Sequence, residues 1–246
     1  MAGKNKTLRW MRVFIGGYNL SGDARTLGTL ENNFEAADMT GWSEGVYNFI
    51  AGSPRHVAVR GFQALLNDAA AAAFAILKDA ENSARLSILF GGGTEPAIGD
   101  PAFLIGSVQM GDLAGWDGLA ATISADFLPE SSQYAAGVDD PLGKVLHPET
   151  SLSATTNGTS VDNGASSANG GHANLHATVS SGGTWAFKIQ HSPDNAAWAD
   201  LMTFTINGSA IASEQKVVTG TIDRYTRFVA TRTSGSVTPV CTFARN

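Results

Sequence analysis

From residue 171 to the C-terminus the chain repeats one device: a short run with apolar side chains at alternate positions, then a cluster of turn residues. HANLHATV sets Ala173, Leu175, Ala177 and Val179 on one side, and TWAFKI does the same with Trp185, Phe187 and Ile189. WADLMTFTI, EQKVVTGTI, RYTRFVATR and VTPVCTFAR follow at short spacing. A period of two suits a strand with one buried face, and such strands must close over a shared core. The expectation is a mostly β protein, with an Ig-like or jelly-roll β-sandwich over 171–246. His172 and His176, on the other face of their strand, are expected to be exposed.

The segment SLSATTNGTSVDNGASSANGG, 151–171, is rich in Ser, Thr, Asn and Gly. It has little apolar surface to offset the cost of ordering, so 151–170 reads as a linker. Residues 1–150 read as a first domain of mixed character. MRVFIGGYNL, NNFEAADMT and HVAVRGF are strand candidates, with TGWSEGVYNFIAGSPR as a long loop or flexible hairpin. NDAAAAAFAILKDAENSA is the strong helix candidate, capped by Asn67 or Asp68, with Leu66, Ala70, Phe74 and Leu77 near one face. RLSILF, PAFLIGSVQM and GLAATISADFLP return to strand character. The order suggests an α+β sandwich or barrel with one packed helix.

Charge follows the same division. The 246-residue chain carries −6 overall. Residues 1–150 hold 17 acidic and 10 basic side chains, a balance of −7; residues 151–246 hold 5 and 6, a balance of +1. An acidic first half argues against a nucleic-acid-binding surface. A single cysteine, Cys241, rules out an intrachain disulfide, so stability must come from packing. The longest apolar run, AAAAAFAIL, falls well short of the ~20 residues needed to span a bilayer, so no membrane insertion is expected.

KIQHSPDNAAWADL, 188–201, contains His191, Ser192, Asp194 and Asp200, the residue types of a hydrolytic triad. It lacks the G-x-S-x-G elbow, and Ser-Pro-Asp-Asn is strong turn chemistry, so a hairpin is the preferred reading. His172 and His176 lie about 13 Å apart along an extended strand, too far for one zinc with ligand distances near ~2.1 Å. His56 and His147 have no ligand partners in sequence. GGGTEP, 91–96, lacks the Lys-Ser/Thr of a phosphate loop. Asp112, Asp117, Asp126, Asp139 and Asp140 read as solvated surface. No catalytic residue, cofactor or metal site is assigned, and the chain is read as a non-enzyme.

Several ordered pieces resemble the major tail tube proteins of long, non-contractile-tailed bacteriophages. RVFIGGYNLSGD resembles the opening strand and turn of that family, and the acidic NNFEAADMTGW follows it. A Gly/aromatic loop then ends in AGSPRHVAVRGF, a small-residue helix follows, and FLIGSVQMGDLAGWDGLAATISADF resembles the closing strands. The second half is similar to C-terminal β-domains appended to some such proteins. GGHANLHATVSSGGTWAFKIQHSPDNAAWADLMTF with RYTRFVATRT also looks like a galactose-binding jelly roll.

The resemblance implies a structural virion protein, assembled in the bacterial host cytoplasm, whose hexameric rings stack into a tail tube. DNA would pass through the lumen during ejection without specific binding. Tape-measure, tail-terminator and distal-tail proteins would be its partners, and 171–246 would decorate the outside. Trp42, Tyr47 and Phe49, in the long aromatic loop, are the expected subunit contacts, because exposed aromatics are favoured at interfaces. The alternative is a carbohydrate-binding, host-surface adhesion role through Trp185, Trp198 or Tyr225. A hydrolase using His191 or the scattered carboxylates is a third reading.

Overall fold

The computed structural model describes residues 8–38, 49–67, 69, 72–79, 85–112, 121–129 and 140–246. It is mostly β, with one α-helix among the described residues. The chain opens with a hairpin, β1 (Met11–Ile15) and β2 (Tyr18–Asn19), turning on Gly16 and Gly17 at φ of 62° and 97°. Both angles lie where a Cβ is penalised.

β3 (Ala24–Thr26) and β4 (Thr29–Asp38) then pair along one edge of the long β5 (Phe49–Leu65). The expected loop therefore becomes strand from Phe49 onward. Pro54, which argues against a regular strand, sits in a bulge where the register shifts between Phe34 and Ala36.

The helix, α1 (Ala73–Asp79), begins only at the last alanine of the unbroken Ala run, 69–73. In its first turn Phe74 N donates to the Asn67 carbonyl at 3.1 Å, but the side-chain cap comes from elsewhere; Asp68 lies outside the described residues. Ala73 N donates to Asp23 Oδ2 at 3.0 Å, from a residue fifty positions upstream. Asp23 Oδ1 also accepts from Asn67 Nδ2 at 3.1 Å.

β6 (Arg85–Phe90), β7 (Pro101–Asp112) and β8 (Thr122–Pro129) follow. β7 serves two layers: Ala102–Gly106 pair with β6, while Ser107–Asp112 pair with β8, which in turn pairs with β5. β9 (Leu142–His147), not foreseen from the sequence, pairs with β7 and links the two halves of the chain.

The expected linker is not loose. Within it, β10 (Thr156–Asn157) and β11 (Val161–Asp162) pair with β16, Tyr225–Arg232. Leu152 and Val161 are buried. Hydrogen bonds do what apolar area cannot: Leu152 N to Val237 O, Gly158 N to Phe228 O and Ser167 N to Ile222 O hold the segment down.

β12 (Gly171–Ser180), β13 (Trp185–Ser192), β14 (Ala199–Thr203), β15 (Ala212–Val218) and β17 (Val237–Arg245) complete the C-terminal strands. β10, β16, β13 and β14 lie side by side in one sheet, with β11 also on β16. β15, β12, β17, β9, β7, β6, β1 and β2 form a continuous path in the other.

That second sheet curls back on itself into a nearly closed barrel. A Cβ on Gly17 would lie 2.7 Å from the carbonyl oxygen of Ala212, so the first hairpin meets β15 where only glycine fits.

Alternation along the barrel strands then creates three packed zones. On one outer side, Val13, Ile15, Leu86, Ile88, Phe103 and Ile105 pack against β5, β8 and α1. On the opposite side, Ala173, Leu175, Ala177, Cys241 and Phe243 pack against Trp185, Phe187, Ile189 and Phe228. Between them lies an inner seam where Phe14, Leu89, Ala102, Val145 and Val240 meet. The two sandwich cores agree with the expected architecture; the shared seam does not follow from it.

Candidate functional site

The hairpin at 188–201 separates the residues that resembled a triad. Successive side chains on β13 point to opposite faces, so His191 and Ser192 diverge. Ser192 is fully buried and its Oγ donates to Asp194 Oδ1 at 2.9 Å. The same Asp194 oxygen accepts from Ala196 N and Ala197 N, each at 2.9 Å. Those N–H groups, with the Ser192 hydroxyl, hold its carboxyl below the usual carboxylate range. Asn195 takes φ 62°, the left-handed conformation that Asn tolerates best after Gly. His191 Nδ1 instead accepts from Asp223 N at 3.1 Å.

Asp200 belongs to a surface ladder. It accepts from Lys188 Nζ at 2.6 Å and Gln190 Nε2 at 2.8 Å, which depress its pKa in that order. Gln190 Oε1 accepts from Arg227 Nε and an Arg227 terminal nitrogen, at 3.0 and 2.7 Å. The Arg227 guanidinium lies 4.0 Å from the centre of the half-buried Trp198 ring.

The largest departure from expectation is on β12. His172 and His176 are not exposed: both, with Asn174 between them, are fully buried on the face opposite Ala173, Leu175 and Ala177. The barrel's curl brings β6 and β7 over that face. Asn174 Nδ2 donates to the carbonyls of Leu86 (2.8 Å) and Ile105 (3.1 Å). His172 Nε2 lies 3.4 Å from Leu104 O, and His176 Nε2 lies 2.9 Å from Ser87 Oγ, itself 3.1 Å from Thr242 Oγ1. The remaining polar atoms, His172 Nδ1, Asn174 Oδ1 and His176 Nδ1, have no hydrogen-bond partner among the described residues. Burial pushes His172 down to about 4 and His176 down to about 3, with Arg85 adding to the second shift. Sequence pattern gave no sign of this, because a polar strand face reads as solvated until a second layer covers it.

Other candidates sort as follows. Trp185 is core, its ring stacked 6.3 Å from Phe187. Tyr225 is half-buried with Arg224 over its ring at 5.0 Å. His147 is buried, with Nδ1 3.1 Å from Pro239 O, and burial lowers its pKa. Asp126 accepts from Gly61 N at 2.7 Å, and Asp140 from Leu142 N at 3.0 Å; each braces local backbone. Asp126 lies in β8 and Asp140 just before β9. Backbone pairing places His56 opposite Asn33 and Asp112 opposite Ser124. Asp117, Asp139, Trp42 and Tyr47 lie outside the described residues. Phe49 opens β5, its backbone paired with Asp38. The GGGTEP segment is a connection between β6 and β7, with Gly91 N bonded to Trp10 O at 2.8 Å.

Among the described residues, two of the surface clefts are roomy enough to consider. One, of about 410 Å³, is lined by Lys144, Asn163, Ser167 and Arg245 among others. Its cations are engaged by backbone: Lys144 with Asp162 O, Arg245 with Ala165 O and Asn163 O. The other, of about 390 Å³, lies at one mouth of the barrel over Phe14 and Leu89, rimmed by Arg12, Glu95 and Glu149. Among the described residues, no group of three or more His, Cys, Asp and Glu is placed to hold a metal ion. No helix among them is long and apolar enough to cross a membrane.

No protein family and no curated protein matches this chain. Among solved structures it is similar to the SPP1 Dit (gp 19.1) protein, described as a paradigm of the hub adsorption apparatus in phages that infect Gram-positive bacteria. The match has 11% identity and a TM-score of 0.36, and covers 95% of this chain and 98% of that one.

Proposed function

We propose that this protein is a structural component of a bacteriophage tail, and that its rings, six subunits each, stack into the tube that conducts the genome. Residues 1–150 form the conduit in this reading, and 171–246 face outward, joined through 151–170. The observation that carries it is an open strand edge. β8 pairs with β5 only between Val59 and Leu65, so Phe49–Ala58 have β4 on one side and no strand on the other among the described residues. The outer edge of β4 is likewise unpaired among them. A two-stranded arm is marginal alone in water, and an open edge pairs readily with another copy. Closing such edges around a ring satisfies them without leaving a site for uncontrolled growth. The −7 balance of residues 1–150 suits a lumen that must not hold DNA, since phosphate binding needs cations.

Negative-stain microscopy of the concentrated full chain tests this reading. Rings or hollow tubes are expected, and a chain that stays monomeric at every concentration sinks it. The Trp42→Ala/Phe49→Ala variant should remain folded and soluble yet fail to extend tubes.

A second reading, host-glycan binding, draws on the ladder beside Trp198, where an indole, a guanidinium, an amide and a carboxylate share one surface. Glycan-array binding that disappears in Trp198→Ala favours it; no binding removes it.

A further inference from the structure

Beside the apolar contacts of Phe14, Leu89, Ala102, Val145 and Val240, the inner seam joins two β layers through fully buried polar side chains. On β12, His172, Asn174 and His176 occupy one face in succession, all fully buried. Each histidine uses Nε2 toward the opposite layer and leaves Nδ1 with no partner among the described residues. A neutral ring tolerates this, because its bare Nδ1 is only an unpaired acceptor. A protonated ring does not: it adds a charge and an N–H donor where no acceptor waits. The outer cores differ in kind. The first is built from a cluster of apolar side chains, and the second adds the Cys241 thiol, the Trp185 indole and a single histidine, His147, whose ring lies 5.0 Å from Phe228.

We propose that the seam is an acid-sensitive clasp: protonation of His172 and His176 releases β12 from β6 and β7 and opens the barrel while both outer cores stay packed. The groups facing the two rings set the response. β6 contributes Arg85 and Ser87, β1 contributes Phe14, and β17 contributes Thr242. β7 contributes the Leu104 carbonyl, β15 places Gln215 opposite Asn174, and Asp140 precedes β9. Arg85 opposes charge on His176, and Asp140 favours it on His172. His172 is therefore the first to yield.

The sign follows from linkage. Both folded values lie below the ordinary 6.5, so the open form binds protons that the closed form refuses. The clasp is fully closed above pH 6.5 and weakens as pH falls from there toward the folded values. Each histidine that titrates on opening multiplies the opening equilibrium about tenfold per pH unit.

Hydrogen exchange of the full chain, corrected for intrinsic rates, reads this directly. Between pH 6.5 and 4.5, exchange in 171–180 and 85–90 should rise at least about a hundredfold, the tenfold-per-unit effect over two units. Exchange in 185–192 and 225–232, followed in a His147→Gln chain so that the buried imidazole beside Phe228 adds no response of its own, should rise by less than about tenfold. The His172→Gln/His176→Gln chain should lose the seam response; if it does not fold, each single variant should lose part of it. Seam segments that stay protected to pH 4.5, outer cores that loosen together with the seam, or an unchanged response in the glutamine variants would each overturn the proposal.

Discussion

At the scale of single residues, the 188–201 turn shows how one residue set serves two readings. His, Ser and Asp become catalytic only when the fold aims them at one point. Here alternation on β13 turns His191 toward Asp223 and Ser192 toward Asp194, and the turn consumes the Asp194 acceptor. Asn195 stores the turn's strain at φ 62°. Asn195→Ala should therefore cost about 1 kcal/mol, the left-handed penalty for a residue with a Cβ and no local hydrogen bond. Asn195→Gly should be close to neutral. Urea melts of the two variants check this; equal effects would mean the strain lies elsewhere. The turn was legible because its chemistry is local.

Elements were legible in proportion to how local their causes are. β12, β13, β16 and β17 follow from alternation, since a sandwich strand writes its buried face into every second residue. Val179 broke the pattern: the register slips between Ala177 and Val179, and its side chain is 60% exposed. The start of the helix was misplaced because alanine propensity marks where a helix can run, not where a distant carboxylate begins it. β9 carried no alternation to notice, and the buried seam was hidden because nothing in β12 announces the layer that covers it. Asp23 shows how a remote cap works, fixing the first turn of α1 and holding Asn67 as well. Asp23→Ala should cost about 1–2 kcal/mol by loss of that cap. Asp23→Asn, which keeps one acceptor oxygen, should cost less. Thermal melts followed by far-UV circular dichroism check the order of the two.

For the whole molecule, the question is whether the composition break near residue 150 is also a break in folding. The continuous sheet argues that the two halves fold together. β9, from the first half, pairs with β17 of the second, and β12 places its polar face under β6 and β7. Separating the halves would bare Asn174 and two histidines, along with the carbonyls they satisfy. Leaving such groups unpaired costs about 1–3 kcal/mol apiece where they remain buried. The division at 150 is then one of composition and charge, −7 before it and +1 after it, rather than of folding. At pH 7.5, with the seam histidines neutral, urea should unfold the full chain in one transition. Near-UV circular dichroism, far-UV circular dichroism and exchange in 85–90 and 225–232 should give the same midpoint, as a single cooperative unit requires. Two midpoints at pH 7.5, with 225–232 outlasting 85–90, would show that the seam does not couple the cores. Coincidence at pH 7.5 that splits at pH 4.5 would locate the coupling in the histidine-lined layer itself.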